Sequence, residues 1–226
     1  MTSKPFYIIF ICSICTLFLN CKTSDSAQGL QEGDLLFQNL NCGELCDAIE
    51  AVTEGIDGKK FSHCALVVKV NDTLKVVEAI GNKVQLISIN NFFARSGDTK
   101  DVKNIAVARL KHQHQQLLSE AMTEAKQLIG QPYDDAFLLN NGKWYCSELI
   151  YEVFKKANSD NNFFELEPMT FKDPKTAQFF PAWINYYKEI NIAIPEGKLG
   201  TNPGLISRSD KIDIIKIKHY NNLKIK

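Results

Sequence analysis

The sequence predicts an α+β fold in which an antiparallel sheet of about five strands packs against one helix, followed by an irregular, aromatic-rich C-terminal cap. Three observations lead to this fold class: short β-branched runs between turn residues, one helical apolar stripe after Cys146, and aromatic residues clustered at residues 163–183. The 226 residues suffice for one domain with a substantial apolar core.

The predicted sheet consists of short apolar runs between turn signals. The run at residues 61–70 is rich in β-branched residues and continuously apolar, as expected for a strand covered on both faces. A short Asn-Asp turn joins it to residues 74–79, so His63 and Glu78 are expected to lie side by side across a hairpin. The other predicted strands cover residues 31–37, 84–89 and 104–110, and residues 211–218 form a terminal edge strand.

Three segments have the periodicity of amphipathic helices. Two cover residues 44–53 and 115–129, and Gly130 closes the second. The third begins at Cys146, which lies in the first turn, where unpaired N–H groups and the helix dipole favour a thiolate. From this helix alone, Cys146 is either a reactive nucleophile or a buried cysteine that acts as a small apolar residue. The apolar stripe behind it comprises Leu149, Ile150, Val153, Phe154 and Ala157.

The chain also offers the partners that a thiol nucleophile requires. Such a thiol needs a base, and an imidazole base needs a third group that fixes its orientation. His63 and Glu78 are candidates for these two parts. Taken singly, His63 has the alternative of a hydrogen-bonded core histidine, and Glu78 that of a solvent-facing strand residue. Tyr133, in a rigid loop after Pro132, either lines a site with its hydroxyl or packs in a turn.

The N-terminal segment has the pattern of an export signal followed by a tether. Lys4 provides the positive end, and residues 6–19 form an apolar run that is short for a membrane span. This run leads directly to Cys21, and residues 22–30 form a polar, small-residue tether. The arrangement resembles the cleavage site of bacterial lipoproteins.

On that resemblance, residues 1–21 end at the lipidation site Cys21, and residues 31–226 form the folded domain. The expected location is the cell envelope, with a lipid anchor in the membrane and the domain facing the periplasm or the cell surface. Asn20 departs from the small residue that usually precedes such a cysteine. A plain secretory signal or an uncleaved anchor is therefore the alternative.

Charge and cysteine content narrow the range of partners. The 26 basic and 26 acidic residues balance, and no basic stripe with interleaved aromatic residues occurs, which argues against nucleic acid as a partner. An exported domain can hold disulfides, and the spacing of Cys42 and Cys46 permits a bridge that the sequence leaves open. Zinc is less favoured there, because neither cysteine has a second Cys or His pair at ligand spacing.

An ordered set of motifs resembles a known family. In ordinary papain-like enzymes the cysteine precedes the histidine, whereas here His63 precedes Cys146, as a circular permutation requires. The resemblance covers roughly residues 31–158. The chain resembles the YiiX/YebB-like group, a circularly permuted branch of the NlpC-type papain-like cysteine hydrolases, in five motifs: Gly33-Asp34-Leu35-Leu36-Phe37, Ser62-His63, the strand of Glu78, Gln131-Pro132-Tyr133-Asp134 and Tyr145-Cys146-Ser147-Glu148-Leu149.

The resemblance implies a permuted papain-like fold and assigns roles to four residues. Cys146 would be the nucleophile, His63 the base and later the acid, and Glu78 the group that orients the imidazole. Tyr133 would contact the substrate in the pocket or on the oxyanion side, and the backbone N–H of Cys146 would be a further oxyanion donor. No metal or organic cofactor is expected.

Three functions compete at this point. The first is a hydrolase that cleaves an amide in a cell-wall peptide or another amino-acid conjugate through an acyl-enzyme. The second is acyl transfer or ester cleavage on lipids, because the lecithin:retinol acyltransferase-like branch has the same order of residues. The third is a binding module that keeps the fold without turnover, and the presence of all three candidate catalytic residues argues against it.

Overall fold

The computed structural model describes residues 29–40, 42–96 and 105–216. Its helices are α1 (Glu44–Val52), α2 (Ile89–Ala94), α3 (Leu118–Gln127), α4 (Cys146–Ala157), α5 (Pro181–Glu189) and α6 (Pro203–Ser207). Its strands are β1 (Leu35–Gln38), β2 (His63–Val70), β3 (Thr73–Ile80), β4 (Lys83–Ser88), β5 (Ile105–Leu110), β6 (Glu167–Pro168), β7 (Leu199–Gly200) and β8 (Ile212–Ile215).

The main sheet is antiparallel and, within the described ranges, contains six strands in the order β4-β3-β2-β1-β5-β8. The antiparallel sheet of about five predicted strands is confirmed, together with the predicted terminal edge strand. The sixth strand is the predicted terminal edge strand, which pairs with β5 along Leu110 and Ile212 and so extends the same sheet. The short strands β6 and β7 form a separate pair in the C-terminal cap.

Helix α3 is shorter than the sequence predicts. A 3-10 helix covers His112–Leu117, no side chain caps its start, and the α-helical geometry begins only at Leu118. The short helix α2 follows β4 directly, and Ser88 caps it by accepting a hydrogen bond from the Asn91 backbone N–H at 3.1 Å.

Different helices cover the two faces of the sheet. On one face, Leu66 and Val77 belong to a buried cluster that includes residues of α3 and α4. On the other face, Val67 and Val76 pack with Phe92 of α2. Because β2 is covered on both sides, its residues from 63 to 68 are all buried, which explains the continuous apolar run in the sequence.

The Gly33-Asp34 turn is held by close packing and by an ion pair. Gly33 has φ +89°, and a Cβ there would lie 2.5 Å from the side chain of Leu118. The buried Asp34 carboxylate accepts two hydrogen bonds from Arg109, from Nε at 2.7 Å and from a terminal nitrogen at 2.8 Å. This bidentate pair joins the start of β1 to β5.

The C-terminal cap packs on α1. Ala48 of α1 is buried in a cluster with Phe171, Trp183 and Tyr187, and α5 supplies the last two. A disulfide joins Cys42 and Cys46, with 5.3 Å between their Cα atoms, and fixes the segment that leads into α1. Among the described residues, no helix has both the length and the apolar character needed to cross a membrane.

Candidate active site

Cys146 is the first residue of α4, as the apolar stripe predicts. The preceding Tyr145 is extended, and its backbone N–H donates to the carboxylate of Glu148 at 3.4 Å, which closes the start of the helix. Cys146 is only 8 % exposed, yet it lines a cavity. Its sulfur is therefore shielded from bulk water while remaining open to a ligand inside the cavity.

His63 and Glu78 meet across the β2–β3 hairpin. The register pairs Leu66 with Val77, which places Glu78 diagonally across from His63 at the beginning of β2. The Nε2 atom of His63 lies 2.7 Å from Oε2 of Glu78, and both side chains are buried. This contact confirms the predicted proximity and leaves Nδ1 as the imidazole nitrogen for Cys146, which lines the same cavity as His63.

Two further side chains hold the Glu78 carboxylate. Gln85 stands directly opposite Glu78 on β4 and donates from Nε2 to Oε1 at 2.8 Å. Arg95, the C-cap residue that follows α2, donates from its guanidinium to Oε2, the same oxygen that contacts His63. Both carboxylate oxygens are thus bonded, which fixes the direction in which Glu78 faces the imidazole.

These contacts set the charges of Glu78 and His63. Burial acts to raise the pKa of Glu78, but the hydrogen bonds and charges of His63 and Arg95 outweigh it and lower this pKa to about 2. Burial likewise acts to lower the pKa of His63, and contacts with Cys146 and Glu78 outweigh it and raise this pKa to about 9. The carboxylate is therefore ionised, and the imidazole is protonated up to about pH 9.

The pKa of Cys146 is lowered, whereas that of His63 is raised. A hydrogen bond from the Cys64 thiol and the contact with His63 outweigh burial and hold the pKa of Cys146 well below its usual value. A thiolate and an imidazolium consequently coexist over a wide pH range around neutrality. Such an ion pair provides a nucleophile that needs no proton removal before attack.

Tyr133 lines the same cavity with a half-buried side chain. Burial, together with the negative charge of Cys146, raises the pKa of Tyr133 well above its usual value. The hydroxyl therefore stays protonated and can donate a hydrogen bond to an oxygen that develops negative charge. The first-turn N–H groups of α4 are further donors for such an oxygen, because they have no carbonyl partner within their own helix.

The cavity beside Cys146 has a volume of about 490 Å³. Apolar side chains of α1 and of the C-terminal cap form most of its wall, among them Leu45, Ile49, Met169, Phe171 and Trp183. Its charged lining residues are His63, Asp135 and Glu167, and no lysine or arginine is among the described residues that line it. The cavity therefore suits an apolar group better than a free carboxylate or a phosphate.

The structure brings together Cys146, His63, Glu78 and Tyr133, four of the five predicted site residues. The fifth, the lipidation cysteine Cys21, lies outside the described residues. Sequence reasoning missed Arg95, Gln85 and Cys64. A buried carboxylate needs donors, which was a signal for partners of Glu78, but only the strand register and the placement of α2 identify them.

Comparisons with known proteins agree with this geometry. A family model described as "permuted papain-like amidase enzyme, YaeF/YiiX, C92 family" matches residues 29–216. The uncharacterized protein YiiX of Escherichia coli K12 is 29 % identical over 127 residues, which is 56 % of this chain and 58 % of the relative. The matched segment thus spans little more than half of that relative.

A solved structure has the same fold. It is described as the metalloprotein YiiX of Escherichia coli O157:H7, with a TM-score of 0.65, 21 % identity, and coverage of 83 % of this chain and 97 % of that one. In this chain, residues 29–40, 42–96 and 105–216 contain no group of three or more His, Cys, Asp or Glu side chains arranged to hold a metal ion.

The family match extends over most of the chain and includes all the elements that carry the cysteine, histidine and glutamate. The six-stranded sheet with helices on both faces, and the order of histidine before cysteine, fit the permuted topology. The chain belongs to the YaeF/YiiX family of permuted papain-like amidases, a family of cysteine peptidases and amidases.

Proposed function

We propose that this chain hydrolyses an amide through an acyl-enzyme on Cys146. The observation that carries the proposal is that Cys146 and His63 line the same largely apolar cavity, with His63 hydrogen-bonded to the buried Glu78. His63 is the base and acid, and Glu78 keeps the imidazole oriented and stabilises its positive charge.

The reaction follows from the charges of these groups. The Cys146 thiolate attacks the carbonyl carbon, and the resulting oxyanion accepts hydrogen bonds from the Tyr133 hydroxyl and the first-turn N–H groups of α4. The His63 imidazolium donates its proton to the leaving nitrogen, so the C–N bond breaks and a thioester remains. The neutral imidazole then removes a proton from water, the hydroxide attacks the thioester, and the thiolate and imidazolium are restored.

The cavity indicates the acyl side of the substrate. A wall built from Leu45, Ile49, Met169, Phe171 and Trp183 favours a large apolar acyl group. Among amino-acid-containing amides, this supports a conjugate with an apolar acyl chain over a polar cell-wall peptide. The leaving group is then the amine of an amino acid.

We further propose that the enzyme acts outside the cytoplasm. The apolar run before Cys21 and the polar tether after it support export and lipid anchoring in the cell envelope. The Cys42–Cys46 disulfide supports an oxidising compartment such as the periplasm or the cell surface.

A second candidate function is ester cleavage or acyl transfer on lipids. The same apolar cavity favours it, because a lipid acyl chain and an N-acyl chain fill such a wall equally well. Ester cleavage differs from amide hydrolysis in the atom that leaves the tetrahedral intermediate, which is oxygen instead of nitrogen. Acyl transfer differs also in the acceptor, because another nucleophile takes the place of water.

Trapping the acyl-enzyme tests the proposal. The full chain is incubated separately with N-acyl amino acids, with muropeptides and with acyl lipids, and each reaction is quenched in acid. The mass of the Cys146 peptide is then measured by mass spectrometry. We expect an acyl mass on Cys146 and release of free amino acid with the N-acyl amino acids, and neither with Cys146→Ala. Adducts from lipid esters alone would favour the second candidate, and the absence of any adduct or product would favour a binding module.

A further inference from the structure

Two buried polar atoms of residues in the cavity wall are unpartnered among the residues that the structure describes. They are the hydroxyl oxygen of Thr201 and the indole Nε1 of Trp183. Both residues line the cavity beside Cys146, although they are only 2 % and 3 % exposed. The reaction proposed above makes no use of either atom.

The backbone of Thr201 is fixed beside the nucleophile. Its N–H donates a hydrogen bond to the Tyr145 hydroxyl at 3.2 Å, and its carbonyl accepts one from the Ser147 hydroxyl at 3.0 Å. Tyr145 and Ser147 are the two neighbours of Cys146 in the chain. Because both backbone groups of Thr201 are engaged in this way, its hydroxyl is the group left to contact a ligand beside the first turn of α4.

Trp183 supplies a second donor from a different part of the wall. It lies in α5, and the rings of Phe137 and Phe171 stand nearly perpendicular to it, with centroids 5.6 Å and 5.0 Å away. An indole N–H can only donate a hydrogen bond, so its partner has to be an acceptor. Since a hydroxyl can donate as well, oxygen atoms with free lone pairs would satisfy both Trp183 and Thr201.

The charges around the cavity indicate which kind of oxygen fits. Asp135 and Glu167 line it, and no lysine or arginine does so among the described residues. A carboxylate or a phosphate would meet these negative charges without a counter-ion, whereas a hydroxyl or ketone oxygen carries no charge to repel. A purely hydrocarbon chain would displace water from the cavity and leave the two donors unpaired, which is unfavourable.

We propose that Thr201 and Trp183 are specificity-determining residues, which donate hydrogen bonds to neutral oxygen atoms carried by the acyl group of the substrate. The substrate class is then an amide of an oxygenated acyl chain, a hydroxyacyl or ketoacyl group, in preference to a plain hydrocarbon chain. The inference rests on the proposed function in taking the acyl group as the occupant of this cavity. The competing explanation is that Thr201 binds a water molecule and that the Trp183 N–H lies against a neighbouring aromatic ring.

Binding to the full chain carrying Cys146→Ala tests the preference without turnover. The probes are pairs of N-acylglycines that are identical except for one hydroxyl, which is placed at successive carbons of the acyl chain in the series. Isothermal titration calorimetry measures the Kd of each. We expect the hydroxylated member to bind about tenfold more tightly than the plain member where the hydroxyl reaches the donors, as one additional buried hydrogen bond provides.

Substitutions in the same Cys146→Ala protein assign the preference to the two residues. Thr201→Val removes the hydroxyl at nearly constant shape and should abolish most of the preference, whereas Thr201→Ser retains a hydroxyl and should keep it. Trp183→Phe removes the N–H and should weaken the preference. Thr123→Val makes the same chemical change as Thr201→Val on the exposed side of α3 and should leave both affinities unchanged.

The outcomes separate this inference from the proposed function. Equal affinity for hydroxylated and plain chains throughout the series would overturn the inference, and this comparison requires neither Thr201 nor Trp183 to be altered. An undiminished preference in Thr201→Val or in Trp183→Phe would overturn the role of that residue. Hydrolysis of both members by the unaltered protein with equal kcat/KM would overturn the inference and leave the proposed function standing. A binding preference without any acyl-enzyme on Cys146 would instead overturn the proposed function.

Discussion

Two buried glutamates near the nucleophile have pKa values that are shifted in opposite directions. Glu78 on β3 is fully buried, and contacts with His63 and Arg95 lower its pKa to about 2. Glu148, in the first turn of α4, is also almost fully buried, but burial and the nearby charge of Asp134 raise its pKa to about 8. Burial alone therefore does not decide whether a carboxylate in this site is charged.

The difference lies in the partners. Two cationic neighbours, His63 and Arg95, contact one oxygen of Glu78, and the other oxygen accepts a hydrogen bond from Gln85. Glu148 accepts a hydrogen bond from the Tyr145 backbone N–H, yet the charges that act on it are those of the Asp134 and Glu152 carboxylates. On the sheet side of the site, the partners of Glu78 stabilise its negative charge. On the helix side, Glu148 is a neutral acid at the start of α4.

The two carboxyl groups also shift stability in opposite pH directions. Glu78 has a folded pKa below its ordinary value of 4.5, so its stabilising contribution is present above 4.5 and is lost as the pH falls toward 2. Glu148 has a folded pKa above 4.5, so stability is lost as the pH rises from about 4.5 to about 8. Substitutions that exchange charge for neutrality at either position test this contrast.

The largest effect is expected for Glu78→Gln. This change removes the negative charge that stabilises the imidazolium and should lower kcat/KM about 100-fold, by analogy with the contribution of positioned acid–base groups. Steady-state kinetics measure the loss, and circular dichroism checks that the domain remains folded. Glu120→Gln, an exposed position on α3, is the matched control and should keep full activity. Unchanged activity in Glu78→Gln would remove its orienting role.

The contact between His63 and Glu78 could be predicted because it depends on local information. A short turn fixes how β2 and β3 pair, and that pairing brings the two side chains together. The first-turn position of Cys146 was equally accessible, because the apolar stripe behind it defines where α4 can begin. The disulfide remained open until the backbone was known: Gly43, with φ +84°, turns the chain before α1.

The parts that could not be predicted depend on the distant packing of elements. Arg95 reaches Glu78 only because α2 folds over one face of the sheet. The cavity likewise combines α1 with a cap more than a hundred residues away in the chain. Hydrophobic periodicity identifies these elements but does not state how they are placed against one another.

A smaller effect is expected for Arg95→Gln, which brings Glu78 closer to the situation of Glu148. Loss of the guanidinium should raise the pKa of Glu78 and weaken its hold on the imidazolium, while His63 and Gln85 still bind the carboxylate. We expect kcat/KM to fall about tenfold, corresponding to one lost hydrogen bond to a charged group.

The pH profile distinguishes this effect from a structural one. The acid limb of the kcat/KM profile should move to higher pH in Arg95→Gln, because Glu78 becomes easier to protonate. Arg95→Lys retains a positive charge and should recover part of the activity. A uniform loss of activity with an unmoved acid limb would indicate that Arg95 only supports the packing of α2.

The smallest effect on activity, and the reverse effect on stability, is expected for Glu148→Gln. With a pKa of about 8, Glu148 is mostly neutral at pH 7, so a neutral amide of the same shape should change kcat/KM less than about twofold. A glutamine can also accept the hydrogen bond from the Tyr145 backbone at the start of α4.

Between about pH 5 and about pH 8 the wild-type protein must ionise this buried group when it unfolds, and the variant need not. The free energy of unfolding of the wild type should therefore fall by about 3 kcal/mol more than that of Glu148→Gln over this range, as measured by urea denaturation. Parallel pH dependence in the two proteins would show that Glu148 is already ionised in the folded state, and the contrast with Glu78 would then lie in geometry rather than in charge.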